Sequence, residues 1–415
     1  MPITAIISEF NPFHLGHAVP ITAARAAMDG GGAVVCIMSG NCVQRGDLAI
    51  FHKTARAEAA IQAGVDLVVE LPAPYVLSSA ERFAGGGVAL LAAMGQSDTR
   101  LAFGCETADE GALLAIARAL DSPAVQAEIK ARMGEGLPYG AACQAALDSV
   151  GAGLSRPSAD VGALLRTPNN LLGIEYLRAI NRLGAPIMPL PVQRRGVSHD
   201  SQAPSEGYAS ATYLRGLLHN AGDAAPVVPW AYMPRGAEEI FRRECAEGRG
   251  PASLERLEAA VLTLLRLKVP PTEGYLDDSE GLSTRIKTIA GEVGSLRELL
   301  EMAKTKRYHL SRIRRLTLAM CLGLTPAHRP ETPPYIRVLA ANQTGTDLLR
   351  TMTKTAHLPI LSRPGEVKKM GRAALQLLTI ESAVTDMQAL CFRGADRKGG
   401  KEWKTFLSLS EFRVT

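Results

Sequence analysis

Two histidines three positions apart, His14 and His17, flank Gly16 in a short segment near the start of the chain. An apolar, β-branched run precedes the segment and an alanine-rich run follows it, so the histidines are predicted to lie where a strand ends and a helix begins. Backbone N–H groups and the helix dipole bind anions at such a junction, and Gly16 lets a nucleotide approach the backbone closely. Imidazoles placed there can donate hydrogen bonds to phosphate oxygens while negative charge shifts in a displacement at phosphorus. The pattern therefore indicates nucleotide chemistry.

Two other interpretations of the histidine pair stay open at this point. His14 and His17 could cap a helix or pack within a loop. They could also bind a metal ion, but no third acidic or cysteine ligand is evident nearby, so we predict no metal site. The position after a first strand, with Asn11, Pro12 and Phe13 leading into it, favours the nucleotide interpretation.

The elements that must position this loop alternate between strands and helices. Apolar strands are predicted at residues 3–8, 33–38, 65–70, 100–103 and 185–192, and helices at residues 17–28, 53–63, 79–94 and 169–183. Such an alternation indicates an α/β fold with a doubly wound parallel sheet, covered on both faces. Ligands in these sheets bind beyond the carboxyl ends of the strands. The loops expected to share that rim are residues 8–16, 39–47, 70–75 and 104–107.

The rest of the chain has a different pattern. Residues 108–150 look helical, and the strand signal fades from about Asp200 onward. Apolar spacing predicts helices at residues 254–267, 286–303 and 308–322. We therefore expect a mainly α-helical C-terminal region.

Composition and charge limit the class of protein. Hydrophobic residues make up 47% of the 415 positions and charged residues 21%, which allows a sizeable core. Residues 1–160 hold 10 Lys/Arg against 16 Asp/Glu, a net charge of −6, and the remainder holds 36 against 25, a net charge of +11. The basic second half favours a polyanionic partner. No apolar run approaches the roughly 20 residues of a membrane helix, and no signal peptide is visible. The seven cysteines are scattered and lack CxxC spacing, so we expect a cytoplasmic protein without membrane association.

An ordered set of motifs narrows the nucleotide interpretation. His14, Gly16 and His17 match the HxGH signature of the nucleotidyltransferase superfamily, and the surrounding segments resemble the tRNA(Met) cytidine acetate ligase family. The motifs keep the family's order from residue 3 to about residue 340, so the likeness covers most of the chain. They are residues 9–17 (EFNPFHLGH), 38–46 (MSGNCVQRG), 56–58 (RAE), 69–72 (VELP), 79–81 (SAE), 103–106 (FGCE), 168–176 (PNNLLGIEY), 280–282 (EGL), 285–286 (RI) and 334–339 (PYIRVL).

The resemblance implies an activity. Members of this family are thought to join ATP and acetate into acetyl-adenylate, with release of pyrophosphate. The acetyl group then passes to N4 of the wobble cytidine of elongator tRNA(Met), which gives N4-acetylcytidine and AMP. Acetyl-CoA is not needed, and no convincing CoA-binding pattern is present. ATP is expected to act with Mg²⁺, although no dedicated carboxylate pair is evident. The oligomeric state is not readable from the sequence.

The resemblance also implies a domain organisation. Residues 1–205 would form an ATP-binding catalytic domain with a nucleotidyltransferase-like Rossmann fold, in which residues 108–165 are a helical insertion. Residues 206–415 would form a mainly helical tRNA-binding region.

Site residues carry over from the family by position. Gly104 matches an adenine-side glycine, Asn169 a nucleotide contact and Arg194 an arginine that contacts ATP. Each assignment has an alternative. Gly104 could form an ordinary turn, and Arg195 could be the contact in place of Arg194. Asn170, next to Asn169, could bind the ligand or cap the helix that follows. The catalytic residues would be His14 and His17, within an ATP loop that comprises Ile7, Ser8, Glu9, Phe10, Asn11, Pro12, Phe13, His14, Leu15, Gly16, His17, Ala18, Val19 and Pro20.

Two positions depart from the family's pattern. Residues 197–200 (VSHD) are shortened and lack the tyrosine of the usual Tyr-His-Asp, which leaves a substrate contact from that loop open. Cys42 stands where an aromatic residue is more usual, and we interpret this as a packing change.

Two basic runs are candidate contacts for tRNA. Residues 297–315 hold seven Lys/Arg with Tyr308 and His309 among them, and residues 393–404 hold five basic residues with Trp403. Such patches can follow a phosphate backbone and stack unpaired bases, although a charge run is often only a solvated helix face. The residues selected as tRNA-binding candidates are Arg312, Arg314 and Arg315.

Other functions share some of these features. A small-molecule adenylyltransferase of the HxGH superfamily would keep the histidine loop but would not require a long basic helical half. A non-catalytic nucleotide-sensing or RNA-binding protein would keep the fold, and the intact His14, Gly16 and His17 count against it. A class I aminoacyl-tRNA synthetase is disfavoured because no Lys-Met-Ser-Lys-Ser-like loop follows.

Overall fold

A seven-stranded, mostly parallel β-sheet forms the centre of the molecule in a computed structural model. The structure describes residues 1–28, 30–137, 139–150, 158–194, 203–205, 207–220, 229–305 and 307–404. The described strands are β1 (Ile3–Ser8), β2 (Ala33–Ser39), β3 (Cys42–Val43), β4 (Asp47–Leu48), β5 (Leu67–Leu71), β6 (Thr99–Cys105), β7 (Ile187–Gln193), β8 (Ile336–Ala341) and β9 (Ile360–Leu361). Their order in the sheet is β7-β6-β1-β2-β5-β8-β9, and β3 and β4 form a separate antiparallel pair.

The strand pairing confirms the predicted fold class. β1 lies parallel to β2 on one side and to β6 on the other, with Ile3 opposite Ala33 and Thr99. β5 and β7 continue the parallel arrangement outward. β8 alone runs antiparallel to its neighbour β5. The carboxyl ends of β1, β2, β5, β6 and β7 consequently meet at one edge of the sheet.

Both faces of the sheet are buried, which explains the continuous apolar strand sequences. Because side chains alternate along a strand, Ala5 and Val35 join one apolar cluster while Ile6 and Val34 join the other. All four side chains are at most 3% exposed.

The helices of the first half surround the sheet and largely match the predicted ones. Four of them lie between β6 and the last helix of this half, where the helical insertion is predicted. The helices are α1 (Leu15–Ala26), α2 (Lys53–Gln62), α3 (Ala73–Val76), α4 (Ala80–Ala93), α5 (Glu110–Leu120), α6 (Pro123–Gly134), α7 (Tyr139–Val150), α8 (Ser158–Arg166) and α9 (Pro168–Leu183).

Helices also dominate the second half. They are α10 (Ala211–Asn220), α11 (Arg235–Ala246), α12 (Glu258–Leu267), α13 (Leu282–Glu292), α14 (Leu296–Ala303), α15 (Leu310–Leu322), α16 (Gln343–Thr355) and α17 (Arg372–Ala389), with short 3₁₀ turns at Trp230–Tyr232, Leu254–Leu257, Pro326–His328, Pro364–Lys369 and Gly394–Arg397. No helix among the described residues is long and apolar enough to cross a membrane.

Two features of the second half differ from the sequence expectation. The single helix predicted at residues 286–303 is wrong: Ser295 caps a new helix by accepting a hydrogen bond from the Glu298 N–H at 3.1 Å, so α13 and α14 are separate. The strand β8 also returns to the main sheet, where residues Val68 and Ala340 pair. The sheet therefore contains strands from beyond residue 205, and the division of the chain at that residue stays a prediction.

A buried charge cluster ties the end of the described chain to the sheet. Lys53 Nζ lies 2.6 Å from Glu70 Oε1 and 2.5 Å from Glu402 Oε1. Arg337 pairs with both of these carboxylates, and Thr385 Oγ1 donates to Glu402 Oε2 at 2.7 Å. The four charged side chains are at most 2% exposed, so each depends on its partners for compensation.

Candidate active site

The two histidines form a hydrogen-bonded unit at the start of α1. His14 is the N-cap residue, and its Nδ1 accepts a hydrogen bond from the Gly16 N–H at 3.1 Å. Nδ1 of His17 accepts from the His14 N–H at 3.2 Å, and the two rings stack with centroids 3.8 Å apart. Because each Nδ1 is an acceptor, each neutral ring carries its hydrogen on Nε2. The capping alternative is therefore present, and in this tautomer the Nε2–H of each ring is a hydrogen-bond donor.

Gly16 has a local packing role in this unit. A Cβ at Gly16 would lie 2.9 Å from Cε1 of His14, so any larger residue would displace the ring. Phe10 and Phe13 pack against the His17 ring, with centroids at 5.1 and 5.6 Å. Phe10 adopts a positive φ of 47°, which is uncommon for a residue other than glycine. These contacts fix both imidazoles at the carboxyl end of β1.

The rest of the predicted ATP loop extends from β1 into the helix. Ile7 and Ser8 are its last strand residues, and Leu15–Pro20 form the first turns of α1. Asn11 Oδ1 accepts a hydrogen bond from the Ile50 N–H at 2.7 Å, and the peptide between Asn11 and Pro12 is cis. Pro20 has no N–H to donate to the carbonyl four residues earlier.

Arg56 joins the loops that follow β1 and β2. Its side chain is fully buried in α2, and its guanidinium donates to the carbonyl oxygens of Phe51 at 3.0 Å and Glu9 at 2.5 Å. It also donates to the carbonyls of Ser39 and Gly40. Burial lowers the pKa of Arg56 to about 10, with Glu9 opposing that shift. One side chain thus sets the distance between two loops of the rim.

On the other side of β1, the three residues that match family nucleotide contacts lie together. Arg194 Nη1 donates to Asn169 Oδ1 at 3.2 Å, and the Arg194 side chain passes beside Gly104. Asn169 Nδ2 donates to Glu106 Oε1 at 2.5 Å. Burial lowers the pKa of Arg194, and Glu106 partly opposes this. Arg195, the alternative to Arg194, and residues 197–200 lie outside the described residues.

Asn170 anchors the loop after β6 and does not cap its helix. Its side chain is fully buried, and Oδ1 accepts from the N–H groups of Glu106 at 2.9 Å and Thr107 at 3.1 Å. The Glu106 carboxylate accepts in return from the Asn170 N–H at 2.9 Å. Asn169 is partly exposed, so it is the better placed of the two for a ligand.

Gly104 gives a first prediction about ATP binding. A Cβ at this position would lie 3.4 Å from Cγ of Arg194, so the two branches of valine would displace the arginine. We expect Gly104→Val to weaken ATP binding about tenfold, or about 1.4 kcal/mol, as measured by equilibrium dialysis. Gly85→Ala is the control, because no atom lies within 4 Å of a Cβ there. Unchanged ATP affinity in Gly104→Val would contradict the assignment.

The arginines selected as tRNA contacts all lie on or beside α15 and have partners within the chain. Arg312 pairs with Glu280 at 3.5 Å, and Arg314 pairs with Asp47 at 3.1 Å. Arg315 Nη1 donates to the Gln44 carbonyl oxygen at 3.1 Å. The basic helix is therefore docked against the loop that follows β2.

A glycine permits this docking. Gly46 has a φ of +77°, and a Cβ there would overlap the backbone nitrogen of Arg315. The close approach brings the backbone of α15 directly onto the loop of residues 44–47. The helix that was predicted to bind tRNA is consequently a neighbour of the ATP loop.

The doubly wound sheet and the HxGH unit at its rim define a nucleotidyltransferase. The model of the family described as HIGH Nucleotidyl Transferase matches residues 1–402. The chain is 32% identical over 414 residues to the tRNA(Met) cytidine acetate ligase of Acetivibrio thermocellus, covering 97% of this chain and 98% of the relative. It therefore belongs to the tRNA(Met) cytidine acetate ligase family, which confirms the resemblance.

Solved structures agree with this membership. The apo crystal structure of Thermotoga maritima TmcAL superposes with a TM-score of 0.90 at 30% identity, covering 98% of this chain and 99% of that chain. The crystal structure of the same protein bound with alpha-thio ATP superposes with a TM-score of 0.88, covering 97% and 98%.

Three residues of the site were missed by sequence reasoning. Arg56 and Glu106 lie within motifs that were recognised, but nothing in their spacing indicates that one clamps two loops and the other holds Asn169. Arg215 donates to the Asn11 carbonyl oxygen at 2.8 Å from α10, and no sequence signal marks it.

Proposed function

We propose that this chain activates acetate with ATP and transfers the acetyl group to N4 of the wobble cytidine of elongator tRNA(Met). The observation that carries the proposal is the pair of imidazoles at the end of β1, whose Nδ1 atoms are both engaged by backbone N–H groups. Their Nε2–H groups are the donors that a reacting phosphate requires. The related A. thermocellus protein carries the name of this activity.

The first step is an in-line attack of acetate on the α-phosphorus of ATP. One acetate oxygen forms the new bond to phosphorus, and the bond to pyrophosphate breaks. His14 and His17 stabilise the negative charge on the α-phosphate oxygens, while the loop holds the reactants in position.

ATP occupies the loop of residues 7–20, with Gly104 on the adenine side and with Asn169 and Arg194 as further nucleotide contacts. The relative bound with alpha-thio ATP supports this placement, because its chain aligns with 97% of this one. Mg²⁺ accompanies the nucleotide, since this ion usually binds through substrate phosphates and retains several waters. Acetate supplies the acetyl group directly, and acetyl-CoA takes no part.

The second half of the chain supplies the tRNA surface. Arg312, Arg314 and Arg315 are the proposed contacts, supported by the docking of α15 beside the ATP loop. Arg314 and Arg315 also join α15 to the loop after β2. Their replacement would therefore loosen that junction as well as remove phosphate contacts.

The test is an incubation with ATP, labelled acetate and bulk tRNA, without acetyl-CoA. We expect label in tRNA as N4-acetylcytidine and one AMP for each acetyl group. Elongator tRNA(Met) transcripts with cytidine or uridine at the wobble position are the matched substrates. Acetate-dependent exchange of pyrophosphate into ATP without tRNA labelling would favour a small-molecule adenylyltransferase instead. Absence of both reactions would overturn the proposal.

A further inference from the structure

The strand order divides the active-site rim into two halves on either side of β1. Gly104 and Arg194 lie at the ends of β6 and β7, which are the neighbours of β1 on one side. Glu9 follows β1 and contacts the loop after β2, its neighbour on the other side. The HxGH unit stands between the two halves. Nucleotide contacts account for the first half. The proposed function places Glu9 in the ATP loop and Arg315 among the tRNA contacts, but it gives no residue of the second half a part in the acetyl-transfer step.

Three arginines surround the second half. Arg215 and Arg315 reach it from α10 and α15, where they donate to the carbonyl oxygens of Asn11 and Gln44. Neither guanidinium lies within 4 Å of a carboxylate among the described residues, and both remain partly exposed. Arg45 is close enough to Arg215 to lower its pKa, second to the effect of burial.

Among the described residues, the positive charges of Arg215 and Arg315 are therefore incompletely compensated. Burial lowers the pKa of Arg315 to about 10, with Asp277 and Glu9 only partly opposing it. Concentrated cationic charge beside low-dielectric walls attracts polyanions. Guanidinium groups also match the geometry of phosphate oxygens. These arginines are therefore suited to bind the phosphate backbone of a nucleic acid.

Glu9 is a carboxylate close enough to Arg45 and Arg215 to be influenced by their charge. Its Oε1 accepts a hydrogen bond from the Gln44 N–H at 2.6 Å, and the residue remains partly exposed. Burial raises the pKa of Glu9, while the Gln44 N–H and Arg56, Arg215 and Arg45 oppose that shift. Glu9 also interacts electrostatically with Arg315, Cys42 and Tyr176.

Resting on the proposed function, we propose that Glu9, Arg45, Arg215 and Arg315 form the acceptor half of the site, here called the acceptor cleft. In it the arginines hold backbone phosphates of the anticodon loop, and the Glu9 carboxylate accepts a proton from the amino group of the target cytidine. Glu9 is thus the general base of acetyl transfer.

Acetyl transfer requires no further reactant beyond acetyl-adenylate, the cytidine amine and Glu9. The N4 lone pair forms a bond to the carbonyl carbon of acetyl-adenylate, and the bond from that carbon to the phosphate oxygen breaks. AMP leaves with the bonding electron pair, and the N4 proton moves to Glu9 and then to solvent. The exocyclic amine of cytidine is a weak nucleophile. A general base that removes its proton in the transition state therefore accelerates acetyl transfer.

Binding of the nucleic acid would also strengthen the base. The arginines oppose the elevated pKa of Glu9 because their positive charge favours the carboxylate. Phosphates that pair with Arg45, Arg215 and Arg315 neutralise that charge. The Glu9 pKa then rises further, and its affinity for the departing proton increases.

The decisive variant is Glu9→Gln, which keeps an oxygen for the Gln44 N–H but cannot accept the proton. The first half-reaction is followed by acetate-dependent pyrophosphate exchange, and the second by single-turnover transfer from preformed acetyl-adenylate to tRNA. We expect the rate of acetyl transfer to fall about 100-fold or more. This loss should be at least about 30 times larger than the loss in the rate of pyrophosphate exchange. In the wild-type protein the transfer rate should decrease at low pH, where Glu9 becomes protonated. This decrease should be absent in the variant. Equal losses in the two half-reactions, or an unchanged pH profile, would overturn the role of Glu9.

The arginine part of the acceptor cleft is tested by salt dependence. Arg45→Gln should weaken tRNA binding and reduce the slope of log affinity against log salt by about 0.7–1, the contribution of one phosphate contact. Arg235→Gln is the matched control, because Arg235 is 91% exposed on α11 and pairs with Glu239. An unchanged slope in Arg45→Gln would contradict the phosphate assignment. Failure of the proposed function is recognised separately, since the wild-type protein would then transfer no acetyl group at all.

Discussion

His17→Ala is expected to reduce acetyl-adenylate formation by at least about 100-fold, the cost of losing one preorganised donor to a transition-state anion. The His17 ring also stacks on His14 and accepts a hydrogen bond from the His14 N–H at 3.2 Å. Its removal therefore also loosens the position of the remaining donor, His14. Acetate-dependent pyrophosphate exchange measures this step. Binding of tRNA, measured by filter retention, should remain within about twofold, because the proposed RNA contacts lie elsewhere.

Two further variants separate catalysis from helix capping. His17→Asn retains an oxygen that can accept the His14 N–H, and it should preserve thermal stability while leaving exchange severely reduced. His357→Ala removes an exposed histidine distant from the rim and should leave exchange unchanged. If His17→Ala forms acetyl-adenylate at the wild-type rate, the assignment of the imidazole pair is wrong.

Glu402→Ala is expected to lower the free energy of unfolding by about 3–5 kcal/mol, as for other buried ion pairs that lose one partner. The change removes the carboxylate that lies 2.5 Å from Lys53 Nζ and that also pairs with Arg337. Both cations would then depend on Glu70. Urea denaturation followed by circular dichroism measures the effect. Lys401→Ala is the control on the same segment, because its pair with Asp396 is partly exposed and should be worth less than about 1 kcal/mol.

The same carboxylate gives the effect a pH dependence. Lys53 and Arg337 outweigh the effect of burial and lower the pKa of Glu402 from 4.5 to about 2. A lowered pKa in the folded state stabilises the fold above pH 4.5, and this contribution is lost as the pH falls toward 2. Burial raises the pKa of Glu381, so this residue changes the pH dependence of stability in the opposite direction. Comparison of the wild-type protein with Glu402→Gln isolates the Glu402 part, and parallel stability curves below pH 4.5 would contradict it.

Local sequence patterns predicted most of the elements but not how distant ones combine. The run Ile3–Ser8 is apolar and β-branched, and it forms β1 with the predicted bounds. The break between α13 and α14 was not predicted, although a local capping pattern marks it, since Ser295 precedes Glu298 by three positions. β8 lies in a recognised motif, but its antiparallel pairing with β5 joins residues about 270 positions apart. Such pairing depends on tertiary packing that no local pattern encodes.

The candidate site shows the same limit. The HxGH loop was predictable because the histidines, the glycine and the strand-to-helix change occur within 15 residues. The contacts of Arg56, Arg215 and Glu106 depend on carbonyl and amide groups from other loops, which only the folded chain brings together. Glu9 was included within the ATP loop, but its position among arginines from α10 and α15 could not be read from the sequence.

The buried charge cluster also constrains the order in which the protein can fold during synthesis. Lys53 leaves the ribosome early, whereas its partner Glu402 is translated 349 residues later. At about 5–20 residues per second, this interval lasts tens of seconds. β8 also arrives late, so the nascent sheet lacks the strand that pairs with β5 as well as the Glu402 carboxylate that compensates Lys53. The part of the sheet around β5 is therefore expected to reach its final packing only after Glu402 has emerged.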